Sequence, residues 1–299
     1  MNGILLVDKP RGFTSHDVAA ALRGILRERR VGHAGTLDPM ATGLLVVFAG
    51  RATRAVQFAE SAEKTYIAGL RPGIVTDTQD ITGTVLSRSD AAVQARALLA
   101  LLPEFTGTLM QTPPMYSAVK VGGKKLYELA RKGIELARKS RPVTIRELAL
   151  VGREGDDFVL RIVCSKGTYV RTLCHDIGAR LGTGAALSSL RRTAAGGFSV
   201  VDAFTLEQLR RLAGEERLAE ALLPVDSLFS AFPALPLNRE QEKKCRCGSG
   251  FGCLAEDGRY RVYSPDGEFL MLGDVESGTM RTVKSFFEPE LAGKSQKAV

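Results

Sequence analysis

The 299-residue chain predicts an α+β fold, with a large mixed, mainly antiparallel sheet, flanking helices and a small β-rich unit at the C-terminus. Three observations carry that expectation. Strand and helix patterns alternate irregularly, unlike the regular winding of a doubly wound sheet. Hydrophobic residues at 44% and charged residues at 25% are ordinary for a soluble domain whose core needs no staples. After Leu223-Pro224 the texture changes to the proline-punctuated Phe232-Pro233-Ala234-Leu235-Pro236-Leu237-Asn238, followed by short strands and glycine turns.

Taken in order, residues 3–7 read as a short buried strand that ends at Asp8-Lys9-Pro10. Ser15 reads as the N-cap of a helix that sets Val18, Leu22, Ile25 and Leu26 on one face. Leu44–Phe48 and Thr65–Leu70 are apolar strands, and Asp90 is placed as the cap of a helix through Leu98, Leu99, Leu101 and Leu102. Residues Leu126 to Leu136 look helical. Phe158–Cys164 alternates as a strand, and a loop then leads into a helix from about Arg171 to Leu181, stopped by Gly182. Thr205-Leu206-Glu207-Gln208 is a capping box that opens another helix. Beyond the linker come a short helix at Arg239–Cys245 and a hairpin about Ser264-Pro265-Asp266-Gly267. These elements divide the chain into a domain at 1–228, a β-rich domain at 235–288 and a flexible tail at 289–299.

Lys+Arg 41 against Asp+Glu 33 gives +8, a balance that favours a polyanionic partner. No apolar run approaches the ~20 residues of a membrane span, and the opening residues are too weakly apolar for a signal peptide. The chain is therefore expected in the cytoplasm, with no membrane partner. Cys164 and Cys174 read as buried thiols. Cys245, Cys247 and Cys253 are spaced as C-x-C-x5-C, but a fourth ligand is missing and His16, His33 and His175 are distant in sequence, so no metal is expected. Gly293-Lys294-Ser295 has Glu288 where a phosphate-binding loop needs its first glycine, and neither G-x-G-x-x-G nor H-E-x-x-H occurs. No cofactor is called for, and no heptad or repeat suggests assembly beyond a monomer.

The densest chemistry lies in Gly32-His33-Ala34-Gly35-Thr36-Leu37-Asp38-Pro39-Met40-Ala41-Thr42-Gly43-Leu44-Leu45. A carboxylate sits there in a glycine-punctuated turn just before an apolar strand. On spacing alone Asp38-Pro39 is an N-cap followed by a first helical proline. A carboxylate held this rigidly can equally serve as a nucleophile or an acid–base group. A second stretch, Lys120 to Arg141, carries eight cations, including Lys120, Lys124 and Lys125, against Glu128 and Glu135. Taken alone it is a solvated face. Arg171 stands at a helix start, where a cation is disfavoured unless a carboxylate answers it.

The segment from Val31 to Leu45 closely resembles the catalytic motif of the TruB family of tRNA pseudouridine synthases, G-H-x-G-x-L-D-P-x-A-T-G. The resemblance extends over residues 3–226, through residues 9–14, Gln111-Thr112-Pro113-Pro114-Met115-Tyr116-Ser117-Ala118 and Ser165-Lys166-Gly167-Thr168-Tyr169-Val170-Arg171. It implies the pseudouridine synthase fold with a PUA-like RNA-binding domain after it. It also implies isomerisation of uridine to pseudouridine at position 55 in the T loop of tRNA, with Asp38 as the catalytic residue. Attack on the ribose C1′ or on the uracil ring both remain open. By the same resemblance Arg171 pairs with Asp38, and Tyr66 stacks on the target uracil with a part in proton transfer. Tyr169 and Leu190 line the pocket of the flipped nucleotide, and His33 packs into the RNA loop. Lys9 falls among the RNA-binding residues and Asp80 in the Arg171 network. The insertion at about 106–143 becomes a clamp on the tRNA T arm, with Lys120, Lys124 and Lys125 on phosphates and Arg27, Arg29 and Arg30 extending the field.

Overall fold

The protein is described from a computed structural model that covers residues 1–288, with the backbone alone for Lys120, Val121 and Lys125; the expected tail at 289–299 lies outside the described residues. The first part holds β1 (Gly3–Lys9), α1 (Ser15–Leu26), β2 (Val31–Ala34), β3 (Thr42–Ala49), α2 (Val56–Glu60) and β4 (Lys64–Pro72). A hairpin of β5 (Ile74–Thr76) and β6 (Val85–Arg88) and then α3 (Ala95–Leu101) lead to β7 (Gly107–Gln111). A second hairpin, β8 (Lys120–Val121) and β9 (Lys124–Lys125), precedes α4 (Leu126–Ala130). The chain returns through β10 (Arg141–Glu154), β11 (Asp157–Cys164), α5 (Val170–Arg180), β12 (Ala185–Ala195), β13 (Phe198–Ser199) and α6 (Leu206–Gly214). The C-terminal unit contains β14 (Ala234–Pro236), α7 (Arg239–Arg246), β15 (Phe251–Gly252), β16 (Gly258–Tyr263), β17 (Phe269–Glu276) and β18 (Thr279–Ser285).

The main sheet runs β1-β3-β12-β4-β11-β10-β7, with β2 added on β3 and β13 on β12. Every pairing is antiparallel except β3 with β12, which is parallel. This is the mixed, mainly antiparallel sheet that the pattern predicts. Strand alternation explains why β3 is buried almost throughout. Leu45, Val47 and Ala49 face one core with Val18, Leu22 and Leu26 of α1 and Leu209 of α6. Leu44, Val46 and Phe48 face a second core that reaches Leu272 and Phe286 of the C-terminal unit. A third core, under β4, β11 and α5, contains Leu37, Met40, Tyr66, Ile162 and Leu190. The C-terminal strands form a five-stranded sheet, β14-β16-β17-β18-β15, docked on the first domain through Phe229, Phe269 and Phe286. No helix among the described residues is long and apolar enough to cross a membrane.

Several local expectations change. The N-cap of α1 is Thr14, in a capping box with Asp17, and not Ser15. Ser15 is turned inward instead and bonds the backbone of Leu37. Asp90 caps nothing: α3 begins after Gln94, because Val93 packs against the core from the extended stretch ahead of the helix. The helix expected to reach Leu136 stops at Ala130, and the chain turns at Gly133 with φ +69°. Leu136 still packs on the small core of Met115, Leu126 and Leu129 that holds the insertion together. No helix follows Asp38-Pro39; Asp38 opens a turn closed by the Ala41 N–H donating to its carbonyl at 3.0 Å.

Candidate active site

Asp38 projects from the connection between β2 and β3, and the fold holds that connection from several sides. Gly35 turns the chain with φ +75°. Leu37 and Met40 reach into the core below, at 2% and 8% exposure, and Ala41 is fully buried. The Ser15 hydroxyl accepts from the Leu37 N–H at 2.9 Å. The Gly12 N–H and the Lys9 ammonium both donate to the Pro39 carbonyl, at 2.8 and 3.4 Å. Arg192 donates through Nη2 to the Gly35 carbonyl at 2.9 Å and through Nε to the Leu44 carbonyl at 2.6 Å, closing the loop from beneath. A carboxylate carried by such a turn loses little conformational freedom when a ligand arrives.

Arg171, the second residue of α5, meets that carboxylate. Its Nε lies 2.8 Å from Asp38 Oδ2 and its Nη2 3.4 Å from Oδ1. The same guanidinium donates to the carbonyls of Thr78 at 2.9 Å and Tyr116 at 2.8 Å, and its Nη1 stands 3.8 Å from Asp80 Oδ2. Arg171 is thus a buried junction between the Asp38 turn, the Thr76–Thr82 loop and the insertion. Asp80 is buried too, and Thr78 Oγ1, Thr82 Oγ1 and the Thr82 N–H donate to its Oδ1. The Arg171 side chain is 5% exposed, whereas that of Asp38 remains 38% exposed. One carboxylate balances a buried cation. The other faces solvent with lone pairs to spare.

Around this pair the sheet supplies apolar and aromatic surface. Tyr66 on β4 and Leu190 on β12 are each 8% exposed and belong to the core that Leu37 and Met40 enter. Burial pushes the Tyr66 phenol above its ordinary range, opposed by the charge of Arg192 and its hydrogen bond to the phenol. Tyr169, just before α5, is shifted the same way by burial. Its backbone is gripped by the Gln111 side chain, which accepts from the Tyr169 N–H at 2.8 Å and donates to its carbonyl at 3.1 Å. Asp38, Tyr66, Tyr169, Arg171, Asp80 and Leu190 therefore converge.

Other expected residues do not join them in that way. Lys9 is fully buried and its ammonium donates to the carbonyls of Pro10, Phe13 and Pro39, so it braces the turn. Burial brings its pKa down to about 8. His33 on β2 packs edge to face on His16 at 5.3 Å; its Nδ1 is buried without a partner, and burial, with His16 and Arg192 adding to it, pulls the ring down to about 4. Lys124 is exposed at the tip of the β8–β9 hairpin, while Lys120 and Lys125 are placed there by backbone alone. Arg27, Arg29 and Arg30 are exposed at the end of α1 and beyond it.

Residues that sequence reading missed do much of the holding: Arg192, Ser15, Gln111 and Lys64. Lys64 is 6% exposed, donates to the carbonyls of Glu60 and Ala62 at 2.6 Å, and is brought to about 8 by burial. Arg191-Arg192 did carry a signal. Adjacent residues of a strand point to opposite faces, so where a strand buries one face, one of two neighbouring arginines must be interior; Arg192 is 1% exposed and the Arg191 side chain 43%. No cluster of three or more His, Cys, Asp or Glu suited to a metal occurs among the described residues. Cys245 is buried with its Sγ 3.5 Å from the Met271 Sδ, Cys247 is exposed and Cys253 half-buried.

Comparison with known proteins bears on this arrangement. Residues 23–170 match the family model described as TruB family pseudouridylate synthase (N terminal domain). Residues 171–230 match tRNA pseudouridylate synthase B C-terminal domain. The chain is 44% identical to the tRNA pseudouridine synthase B of Azoarcus sp. (strain BH72) over 284 residues, 94% of this chain and 93% of that one. It is 38% identical to that of Clostridium kluyveri over 292 residues, 96% and 100% of the two chains. Among solved structures, a Cbf5-Nop10-Gar1 complex aligns at TM-score 0.73 and 26% identity, covering 95% of this chain and 85% of that one. A structure of an H/ACA RNP bound to a substrate RNA containing 2'-deoxyuridine aligns at TM-score 0.73 and 23% identity, covering 96% and 86%, and speaks to the fold alone. With both of its family segments matched end to end, the chain belongs to the TruB family of pseudouridylate synthases, which are isomerases.

Proposed function

We propose that this chain isomerises uridine to pseudouridine at position 55 in the T loop of tRNA, with Asp38 as the attacking carboxylate on a flipped-out base and no cofactor. The observation that carries the reading is the Asp38–Arg171 pair at 2.8 Å, in which the cation is buried and the carboxylate is left open toward solvent. The reaction breaks the bond between N1 and C1′, turns the uracil and joins C5 to C1′. A proton leaves C5 and N1 ends with one, so nothing is oxidised or reduced. The attacking group needs a fixed position and a free lone pair, and Asp38 has both. Attack at C1′ and attack on the ring are both within the chemistry of a carboxylate so placed.

Extruding the base costs a few kcal/mol of stacking. Tyr66 and Leu190 offer the face that replaces it, and Tyr66 does so as a neutral phenol because burial opposes its ionisation. Tyr169 and His33 complete the contacts to the RNA loop. Lys120, Lys124 and Lys125 on the insertion hold phosphates, and residues 235–288 act as a PUA-like RNA-binding domain of a monomeric enzyme. The test is tritium release from unmodified tRNA labelled at C5 of uridine, with parent and Asp38→Ala proteins. Release from one T-loop position that vanishes in the variant is expected. A folded parent that binds tRNA without release would leave an RNA-binding factor, and release from another RNA alone would overturn the substrate.

A further inference from the structure

Arg192 is 1% exposed, among the largest side chains fully removed from solvent, and forms no ion pair with any described carboxylate. Burying a cation without a counter-charge is costly, and a neutral donor could close the same loop at less expense. Its position shows what the charge accompanies. On β12 it stands opposite Gly43 in the parallel pairing with β3 and opposite Tyr66 in the antiparallel pairing with β4. From there two of its nitrogens reach the carbonyls of Gly35 and Leu44, which bracket the turn carrying Asp38. The approach is tight. A Cβ on Gly43 would meet the Arg192 backbone, and one on Gly35 would lie 3.2 Å from Nη1.

We propose that Arg192 is a positioning residue for the chemical step: it clips both ends of the 35–44 turn to the strand beside Tyr66 and so fixes the reach of Asp38, without contributing to RNA affinity. It touches neither the open side of Asp38 nor the insertion; beyond the two carbonyls it meets the Tyr66 phenol, so its links run to the reacting centre and not to the phosphate-binding surface. Two features single out arginine here. The two carbonyls lie in different directions, and the planar fork serves both at once. Lysine's donors all leave one nitrogen, which Lys64 uses for the carbonyls of Glu60 and Ala62, close together in the chain; those of Gly35 and Leu44 are not. Its charge and burial otherwise match.

The experiment compares parent, Arg192→Lys and Arg192→Ala full-length proteins by single-turnover tritium release, T-arm RNA affinity and circular dichroism. It rests on the reaction proposed above, and parent activity in the same assay tests that reading separately. With the parent active, Arg192→Lys should keep its fold and RNA affinity within threefold and lose on the order of 100-fold in single-turnover rate, as expected for a misplaced attacking group. Millimolar methylguanidinium should restore part of the rate to folded Arg192→Ala. The assignment is overturned if Arg192→Lys reacts within threefold of the parent, if rate and affinity fall together, or if the lysine variant loses its fold, since the residue would then be structural.

Discussion

Replacing Arg171 with lysine asks how much of the site depends on one guanidinium. In the structure that group meets Asp38 through two nitrogens, donates to the Thr78 and Tyr116 carbonyls and faces Asp80 at 3.8 Å. Lysine presents three donors from a single nitrogen, so at least two of these acceptors lose their partner. Each buried acceptor left unmet costs about 1–3 kcal/mol, which gives roughly 2–6 kcal/mol of lost stability. Arg171→Met would do worse, because Asp80 would stay buried with no cation at all. The Coulomb part of the Asp38 pair deserves a discount, since that carboxylate is 38% exposed and solvent screens it. Orientation then dominates the effect on rate: a carboxylate free to swing by an ångström forfeits about 100-fold. Single-turnover tritium release and thermal unfolding should show a loss of about 100-fold and a clear drop in Tm for Arg171→Lys. A variant within threefold of the parent rate and with unchanged Tm would refute the account of Arg171 as a junction.

Three further outcomes are expected. Gly43→Ala should destabilise by about 3 kcal/mol or more in urea unfolding, because Gly43 has φ +96° and its Cβ would strike Arg192; a loss below about 1 kcal/mol would contradict that packing. His33 titrates at about 4 in the folded chain against 6.5 when free, so the unfolded chain takes up the proton first as pH falls. Stability is then unaffected at neutral pH and declines between about pH 6.5 and 4, by at most ~3 kcal/mol before screening is allowed for; His33→Gln should flatten that slope, and an unchanged slope would place the titration elsewhere. Lys124→Ala should weaken T-arm RNA binding and lower the slope of log K against log salt by about one, whereas an unchanged slope would remove Lys124 from the phosphate contacts.

Much of this architecture is written locally. The strands at 3–7, 44–48, 65–70 and 158–164 show themselves as short apolar or alternating runs, and the Thr205–Gln208 box marks its helix start because both partners lie within one turn. Thr14 could have been chosen over Ser15 by the same logic, since Asp17 is three residues after Thr14. What stays hidden is pairing at long range. Nothing near Thr42 announces that β12, some 150 residues later, lies parallel beside it, and that single step carries Arg192 under the turn. Lys9 shows part of its surroundings locally, in the carbonyls of Pro10 and Phe13, but its link to the Asp38 turn runs to Pro39, 30 residues away. Asp38 and Arg171 are likewise 133 residues apart, and only the motif resemblance linked them before the fold did.

The buried cations divide two tasks that the role proposed for Asp38 imposes. Lys9 and Arg192 donate to backbone carbonyls of the turn and make no hydrogen bond to Asp38, so they fix where it sits without occupying its oxygens. Arg171 alone touches the carboxylate, along one edge, and Asp80 supplies the counter-charge that a buried guanidinium needs. Had Asp38 been the sole partner of Arg171, covalent use of its oxygen would leave the cation without a full counter-charge at the moment of reaction. On the proposed mechanism the cation keeps Asp80 as a partner while Asp38 becomes neutral on forming a bond. The second carboxylate therefore makes the first one expendable as a counter-ion, which is the condition for using it as a nucleophile.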